Sequence, residues 1–363
     1  MSKANQPNLE VGASTDLLSR AECNIMRGFA ILLIVIDNIT HMFTGVVKDC
    51  EYNFYWDTVV GFVNNLQHPD QMLPFNFVSF YCPYGVMLFI FLSGYCLTLK
   101  YEKGNGRGTS AKDFIVNHYN KLFTMQLKGL SIFLICYFLF HRESVFGMGL
   151  VLQTFLLGNL ANVSVPGPYW FFGMIMEMYV IYRLIVYRRS DAVAIALIVL
   201  SLVVMAFAEP EGRLLTYLRF NCFLAILPFC LGVLAARHLN AQSFSLHKSL
   251  SCLGWFVLSF ILLTLVKFNF YSWLFMPIFV VSTAVTLVKL FTRVKLFDNV
   301  FSWLGALSGV LFVIHPTVRE VMIARININE AYYPMLLIYL FVSIGLSVLL
   351  KPLISGKKAE GKK

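Results

Sequence analysis

The side chains most able to do chemistry here are the ionisable ones lying inside long apolar runs. Each is costly in hydrocarbon unless it is paired or wetted. The richest run is Arg27-Gly28-Phe29-Ala30-Ile31-Leu32-Leu33-Ile34-Val35-Ile36-Asp37-Asn38-Ile39-Thr40-His41. Asp37 and His41 are four residues apart, which puts them on one helix face and within contact. A carboxylate there holds an imidazole in one tautomer and raises its basicity, as a general base requires. The plainer alternative has His41 at the membrane interface and Asp37 in a polar interhelical contact. Arg27, at the opposite end of the run, either snorkels to the interface or grips an anionic ligand such as a phosphate.

Other embedded polar groups are Glu177 and the His315-Pro316 pair with Arg319. Singly, each reads as a paired structural group. Spread over separate apolar runs, they point together to a shared polar cavity. Gly104-Asn105-Gly106-Arg107-Gly108 reads as a flexible loop, since it neither follows a strand nor opens a P-loop. The eight cysteines show no CxxC pair and no His/Cys cluster at ligand spacing, so no metal is expected. Cys136, Cys222 and Cys230 lie in apolar runs and read as small hydrophobes. Cys50 and Cys82 flank one long polar loop; they are free thiols, or a disulfide if that loop faces an oxidising compartment.

These groups must be positioned by membrane helices. The chain of 363 residues is 58% hydrophobic and only 13% charged, about half the charged share of a soluble protein. Its mean hydropathy is +0.71, so a bilayer must solvate most of it. The net charge of +10 does not indicate nucleic acid. The basic residues sit in short gaps between apolar runs, or in the tail Lys357, Lys358, Lys362 and Lys363, as the positive-inside rule expects.

Apolar runs occur near 27–47, 80–99, 122–140, 168–187, 191–208, 217–236, 250–267, 272–291, 300–323 and 333–350. The run 144–160 is shorter, glycine-bearing and interrupted by Gln153. If it does not cross, Lys100, Lys103, Arg107, Lys112 and Lys121 fall on the cytoplasmic side with Arg188 and Arg189. Arg237, Lys248, Lys289, Arg293, Lys295 and the tail join them. If it crossed, every later gap would invert. The expectation is an all-α polytopic membrane protein with about ten transmembrane helices and both termini cytoplasmic, 144–160 being re-entrant or interfacial. No removable signal peptide is read in the polar start, so the first helix serves as its own insertion signal.

Several blocks resemble acyltransferase family three, membrane proteins that transfer acyl groups, usually acetyl, onto cell-surface polysaccharides and related glycans. Arg27-Gly28-x-Ala30-Ile31-Leu32 is similar to the family's Arg-Gly-x-Ala opening. Gly85-Val86-x-x-Phe89-x-Phe91-Leu92-Ser93-Gly94-Tyr95 is similar to its Gly-Val-x-x-Phe-Phe-x-Leu-Ser-Gly-Phe block. Phe114-x-x-x-His118-x-x-Lys121-Leu122 sits where the family has a basic pair. Pro168-Tyr169-Trp170-Phe171-Phe172 with Glu177 and Tyr179 looks like its Trp-Phe-Leu…Tyr block. Leu227-Pro228-Phe229-Cys230-Leu231-Gly232 and Ser308…His315-Pro316 complete the series, in the family's order.

The resemblance covers roughly 24–350 and implies a polar cytoplasmic segment 1–23, a membrane acyltransferase domain 24–351 and a basic cytoplasmic tail 352–363. It resembles stand-alone members, without an appended esterase-like domain. It implies a multi-pass protein of the inner (plasma) membrane, with no tightly bound cofactor and acetyl-CoA or another acyl-CoA as donor. The partners would be the bilayer, that donor and a polysaccharide or lipid-linked glycan acceptor. The site so implied has His41 as base supported by Asp37. Arg27, His118 and Lys121 would meet the donor phosphates, while Asn38, Trp170, Glu177, Tyr179, His315 and Arg319 line the substrate cavity. One departure stands out: the family's histidine ten or eleven residues after the first arginine is replaced by Asp37 and Asn38. Either Asp37 orients His41 and a base is kept, or the reaction is lost or altered. In the second case the chain is a transporter or glycan-binding protein on the same fold.

Overall fold

The computed structural model describes residues 16–46, 53–141 and 147–355. Ten principal helices organise them: α1 Arg20–Thr40, α2 Leu73–Lys103, α3 Ala111–His141, α4 Gly167–Val186, α5 Asp191–Ala206, α6 Cys222–His238, α7 Ser249–Val266, α8 Met276–Phe291, α9 Lys295–Arg325 and α10 Tyr332–Ser355. Each overlaps one of the apolar runs read from the sequence. Among the described residues, 7 of them are long and apolar enough to cross a membrane, and α5, α6 and α8 are shorter apolar helices. No strand forms there beyond an isolated bridge between Asp16 and Asn240. The pairing of Cys50 with Cys82 and the lysine tail lie outside the described residues.

The first helix begins at a capping box. The Glu22 N–H donates to Ser19 Oγ at 3.2 Å and the Ser19 N–H to Glu22 Oε2 at 2.8 Å. The other carboxylate oxygen of Glu22 pairs with Lys289 Nζ at 2.7 Å, tying the start of α1 to the end of α8.

Two pairs of glycines set the centre of the bundle. A Cβ on Gly28 would overlap the Phe301 carbonyl oxygen, and one on Gly305 would overlap that of Asn24. On α2 and α6, Gly94 and Gly232 meet the Phe229 and Phe91 carbonyls in the same reciprocal way. Lipid gives helices no hydrophobic reason to associate, so backbone approach at small residues supplies dispersion contact instead. The glycines beside Arg27 and Ser93 are therefore packing residues that fix where those two side chains stand. The outer helices are recognised by their lipid-ready surfaces: Leu250 on α7, Phe138 on α3, and Phe341 and Leu349 on α10 are among the most exposed apolar side chains.

The described part of the run 144–160 forms the short helix Met148–Thr154 and a turn at Gly158–Ala161, far too short to cross hydrocarbon. It is held from both sides. Gln153 Nε2 donates to Gln126 Oε1 at 3.0 Å and to the Tyr169 carbonyl at 3.1 Å, and Gln126 Nε2 donates back to the Gln153 carbonyl. Buried amides satisfied in this way are how irregular backbone is tolerated at membrane depth.

The gaps between helices meet in two separate sets. At one end, Arg237 pairs with Glu102 at 2.8 Å and with Asp191 at 2.9 Å, and Arg293 donates to the Leu246 carbonyl. At the other, the Thr44 N–H donates to Asn329, the Trp56 N–H to Glu211 and the Tyr217 hydroxyl to the Leu160 carbonyl. Phe54 packs edge-on against Phe270 there, with ring centroids 5.7 Å apart.

Candidate active site

One face of α1 serves two cavities. Near its C-terminal end, His41 Nε2 lies 3.2 Å from Asp37 Oδ1, with Asp37 1% exposed and His41 14%. A proton on Nε2, the nitrogen nearer the carboxylate, would leave Nδ1 as the basic nitrogen of the ring. The pair opens on a cavity of about 330 Å³ shared with Asn38, Trp170, Arg219 and Arg319. Arg319, reaching in from α9, donates from Nη1 to Asn38 Oδ1 at 2.8 Å and pairs through Nη2 with Glu320 at 2.7 Å. Trp170 is set at the start of α4 by Ser164, whose Oγ accepts the Trp170 N–H at 2.8 Å. Ser164 and Asn162 add hydroxyl and amide groups to the same wall.

Arg27 lines a second cavity, also about 330 Å³, with Ser93, Lys100, His118, Lys121 and Tyr179. Arg27, Cys96 and Lys100 also line an adjoining vestibule of about 1050 Å³, into which Arg20, Lys103 and the Gly104–Gly106 backbone project. Among the described residues lining it, Arg20, Arg27, Lys100 and Lys103 outnumber the one acidic side chain, Asp16, a balance that attracts anions. His118 is held by its Nδ1 contact of 2.7 Å to the Phe114 carbonyl and by the Phe114 and Tyr179 rings, whose centroids lie 4.2 and 5.0 Å from its own.

Among the described residues the two cavities have no lining residue in common. Between them on α9, one turn from Phe312 and one from Arg319, lies the fully buried His315. Its Nδ1 contacts the Leu311 carbonyl at 2.9 Å, and its Nε2 has no hydrogen-bond partner among the described residues.

The sequence candidates thus divide by place. Asp37, Asn38, His41, Trp170 and Arg319 share one cavity; Arg27, His118, Lys121 and Tyr179 share the other. His315 lies between. Glu177 lines neither: its carboxylate accepts from Asn159 Nδ2 and, at 2.8 Å, from the Cys222 N–H, joining α4 to the start of α6. Arg219, Ser93 and Lys100 are cavity residues that the sequence reading passed over. Arg219 lies inside the apolar run 217–236, and the rule that singled out Arg319 would have found it too. Among the described residues no group of three His, Cys, Asp or Glu side chains could hold a metal ion. A further cavity of about 510 Å³ between α6, α7 and α8 is walled mainly by apolar side chains such as Leu231, Trp255 and Val285, with the Asp191–His238 pair, 2.6 Å apart, also in its lining.

The described residues thus form helices around one cavity lined by a buried Asp–His pair and another that adjoins a vestibule lined by basic side chains. The family model described as an acyltransferase domain matches residues 20–351, and the chain belongs to acyltransferase family 3 and is an acyltransferase. Neither the curated proteins nor the solved structures include one that matches it.

Proposed function

We propose that the protein is an O-acetyltransferase moving an acetyl group from acetyl-CoA to a sugar hydroxyl of a surface or exported polysaccharide, or of its lipid-linked precursor. Ten helices cross the inner (plasma) membrane in this reading, with both termini cytoplasmic. The division of the gaps into two contacting sets supports that count, because alternate gaps fall in alternate sets. The vestibule end is then cytoplasmic, where acyl-CoA is made, and Arg27, Lys100, Lys121 and His118 meet the donor's phosphates.

The observation that carries the reading is the placement of both cavities along α1. Fourteen residues from Arg27 to His41 rise about 21 Å on a helix, a distance suited to a long, slender pantetheine arm between bound phosphates and the reacting thioester. At its tip, His41 Nδ1 takes the proton of the acceptor hydroxyl as the oxygen attacks the thioester carbonyl. The C–O bond forms and the C–S bond breaks. The coenzyme leaves as thiolate and takes the proton back from His41. Asp37 holds the ring and balances the imidazolium charge, so a base is retained although the usual histidine position holds Asp37. The same groups could line a transport path, but family membership favours acyl transfer.

Membranes from cells expressing the full chain, given radiolabelled acetyl-CoA, should label glycan, and His41→Ala membranes should not. Full labelling by His41→Ala would remove His41 from the reaction.

A further inference from the structure

The His41 cavity contains a cation to which the acyl-transfer step assigns no task. Arg219 follows the short helix Arg213–Leu218 and lines the same cavity as Asp37, His41 and Trp170. Its guanidinium carbon lies 4.3 Å from the centroid of the Phe220 ring, which holds the planar fork against an aromatic face. Its Nε is buried and has no hydrogen-bond partner among the described residues. The other charges of the cavity are engaged: Asp37 with His41, and Arg319 with Glu320 and Asn38. Among the described residues Arg219 forms no ion pair. A buried donor without an acceptor is costly, and a ligand that supplies the acceptor recovers that cost on binding.

The surroundings say what kind of ligand. A guanidinium fork matches the paired oxygens of a carboxylate or phosphate. Beside it Trp170 and Phe220, with ring centroids 5.4 Å apart, form an apolar wall suited to the C–H face of a sugar ring. We propose that the acceptor is an acidic sugar, its anionic group held by Arg219, its ring against Trp170 and one hydroxyl at His41. The inference rests on the reading of this cavity as the acceptor site. It makes Arg219 a specificity residue, because a neutral sugar leaves the buried donor unmet.

The test is calorimetric binding to the full chain in phosphatidylcholine nanodiscs, with methyl glucuronide, glucose 1-phosphate and methyl glucoside as probes. At least one anionic probe should bind about tenfold or more tighter than the neutral glucoside. The anion that wins distinguishes a uronic acid from a sugar phosphate. Arg219→Gln should bring the anionic and neutral affinities together, and Arg219→Lys, which keeps charge without the fork, should retain part of the preference. Elution profile and thermal midpoint show whether each variant is folded, and if Arg219→Gln is not, the partial loss in Arg219→Lys decides.

Equal binding of all three probes, binding of none, or a preference that a folded Arg219→Gln, or failing that Arg219→Lys, leaves undiminished overturns the proposal. Transfer from acetyl-CoA that favours no anionic probe would overturn it while leaving acetyl transfer intact. An Arg219-dependent anion preference with no transfer to any probe would instead sink the acetyl-transfer reading alone.

Discussion

Asp37→Asn is the sharpest test of the proposed chemistry, because it changes one charge and almost no volume. The carboxylate is 1% exposed and 3.2 Å from His41 Nε2, so little water screens the pair. As the acceptor hydroxyl loses its proton, His41 becomes an imidazolium facing that carboxylate. At 3.2 Å and an effective dielectric of 20, the attraction is about 5 kcal/mol, an upper bound on what the negative charge supplies. A charge-assisted hydrogen bond measured by deletion is worth about 1.5–3 kcal/mol, which sets the lower bound. At 1.36 kcal/mol per tenfold change in rate, the expected fall in kcat is between about tenfold and about 10⁴-fold. The Asn amide can also donate to Nε2 and so stabilise the wrong tautomer, which places the outcome toward the larger figure. The assay is steady-state acetyl transfer by purified protein, with kcat and the KM for acetyl-CoA measured separately. The donor KM should stay within about threefold, since Arg27 and Lys100 lie in the other cavity. A kcat within threefold of the unaltered protein would refute the claim that Asp37 works through His41. A loss confined to KM would show that the pair binds substrate and does not take the proton.

Two further outcomes follow from features away from that pair. Arg27→Gln should raise the KM for acetyl-CoA about tenfold or more through loss of one phosphate contact, with kcat of the same order and the acceptor KM unchanged; an unchanged donor KM would place the phosphates elsewhere. Gly28→Ala should lower the thermal midpoint and the yield of monodisperse protein, because the added methyl meets the Phe301 carbonyl on a rigid helix. Overpacking of this kind costs about 1–3 kcal/mol, and an unaltered midpoint would mean that α1 and α9 separate more easily than their packing implies.

Much of this was legible in the chain because hydrocarbon penalises charge so heavily. The ten apolar runs each became a helix, and Gln153 with its neighbouring glycines marked 144–160 as different. The four-residue spacing of Asp37 and His41 was enough to predict their contact, since α1 keeps regular geometry through both. Local pattern could not show that the polar groups line two cavities in place of one, because that depends on how α9 lies across α1. The crossing is set by Gly28 meeting Gly305, positions far apart in the chain. Glu177 illustrates the converse. Its membrane depth made it look functional, but its oxygens are taken by Asn159 and by the Cys222 N–H, a backbone donor that no residue type announces. Arg219 stands only two residues inside the apolar run 217–236, where hydropathy does not distinguish a cavity-lining cation from one at the end of a span.

The buried layer around His315 has a consequence for the cell as well as for catalysis. A polar passage open along α1 from one end to the other would be a wire through the bilayer. Protons and small ions would run down their gradients through it, and the energised membrane would discharge. On α9, Phe312 on one side of His315 lines the Arg27 cavity and Arg319 on the other side lines the His41 cavity. A layer kept closed at His315 is what would let such a protein stand permanently in the membrane as an insulator, whatever group passes during a turnover.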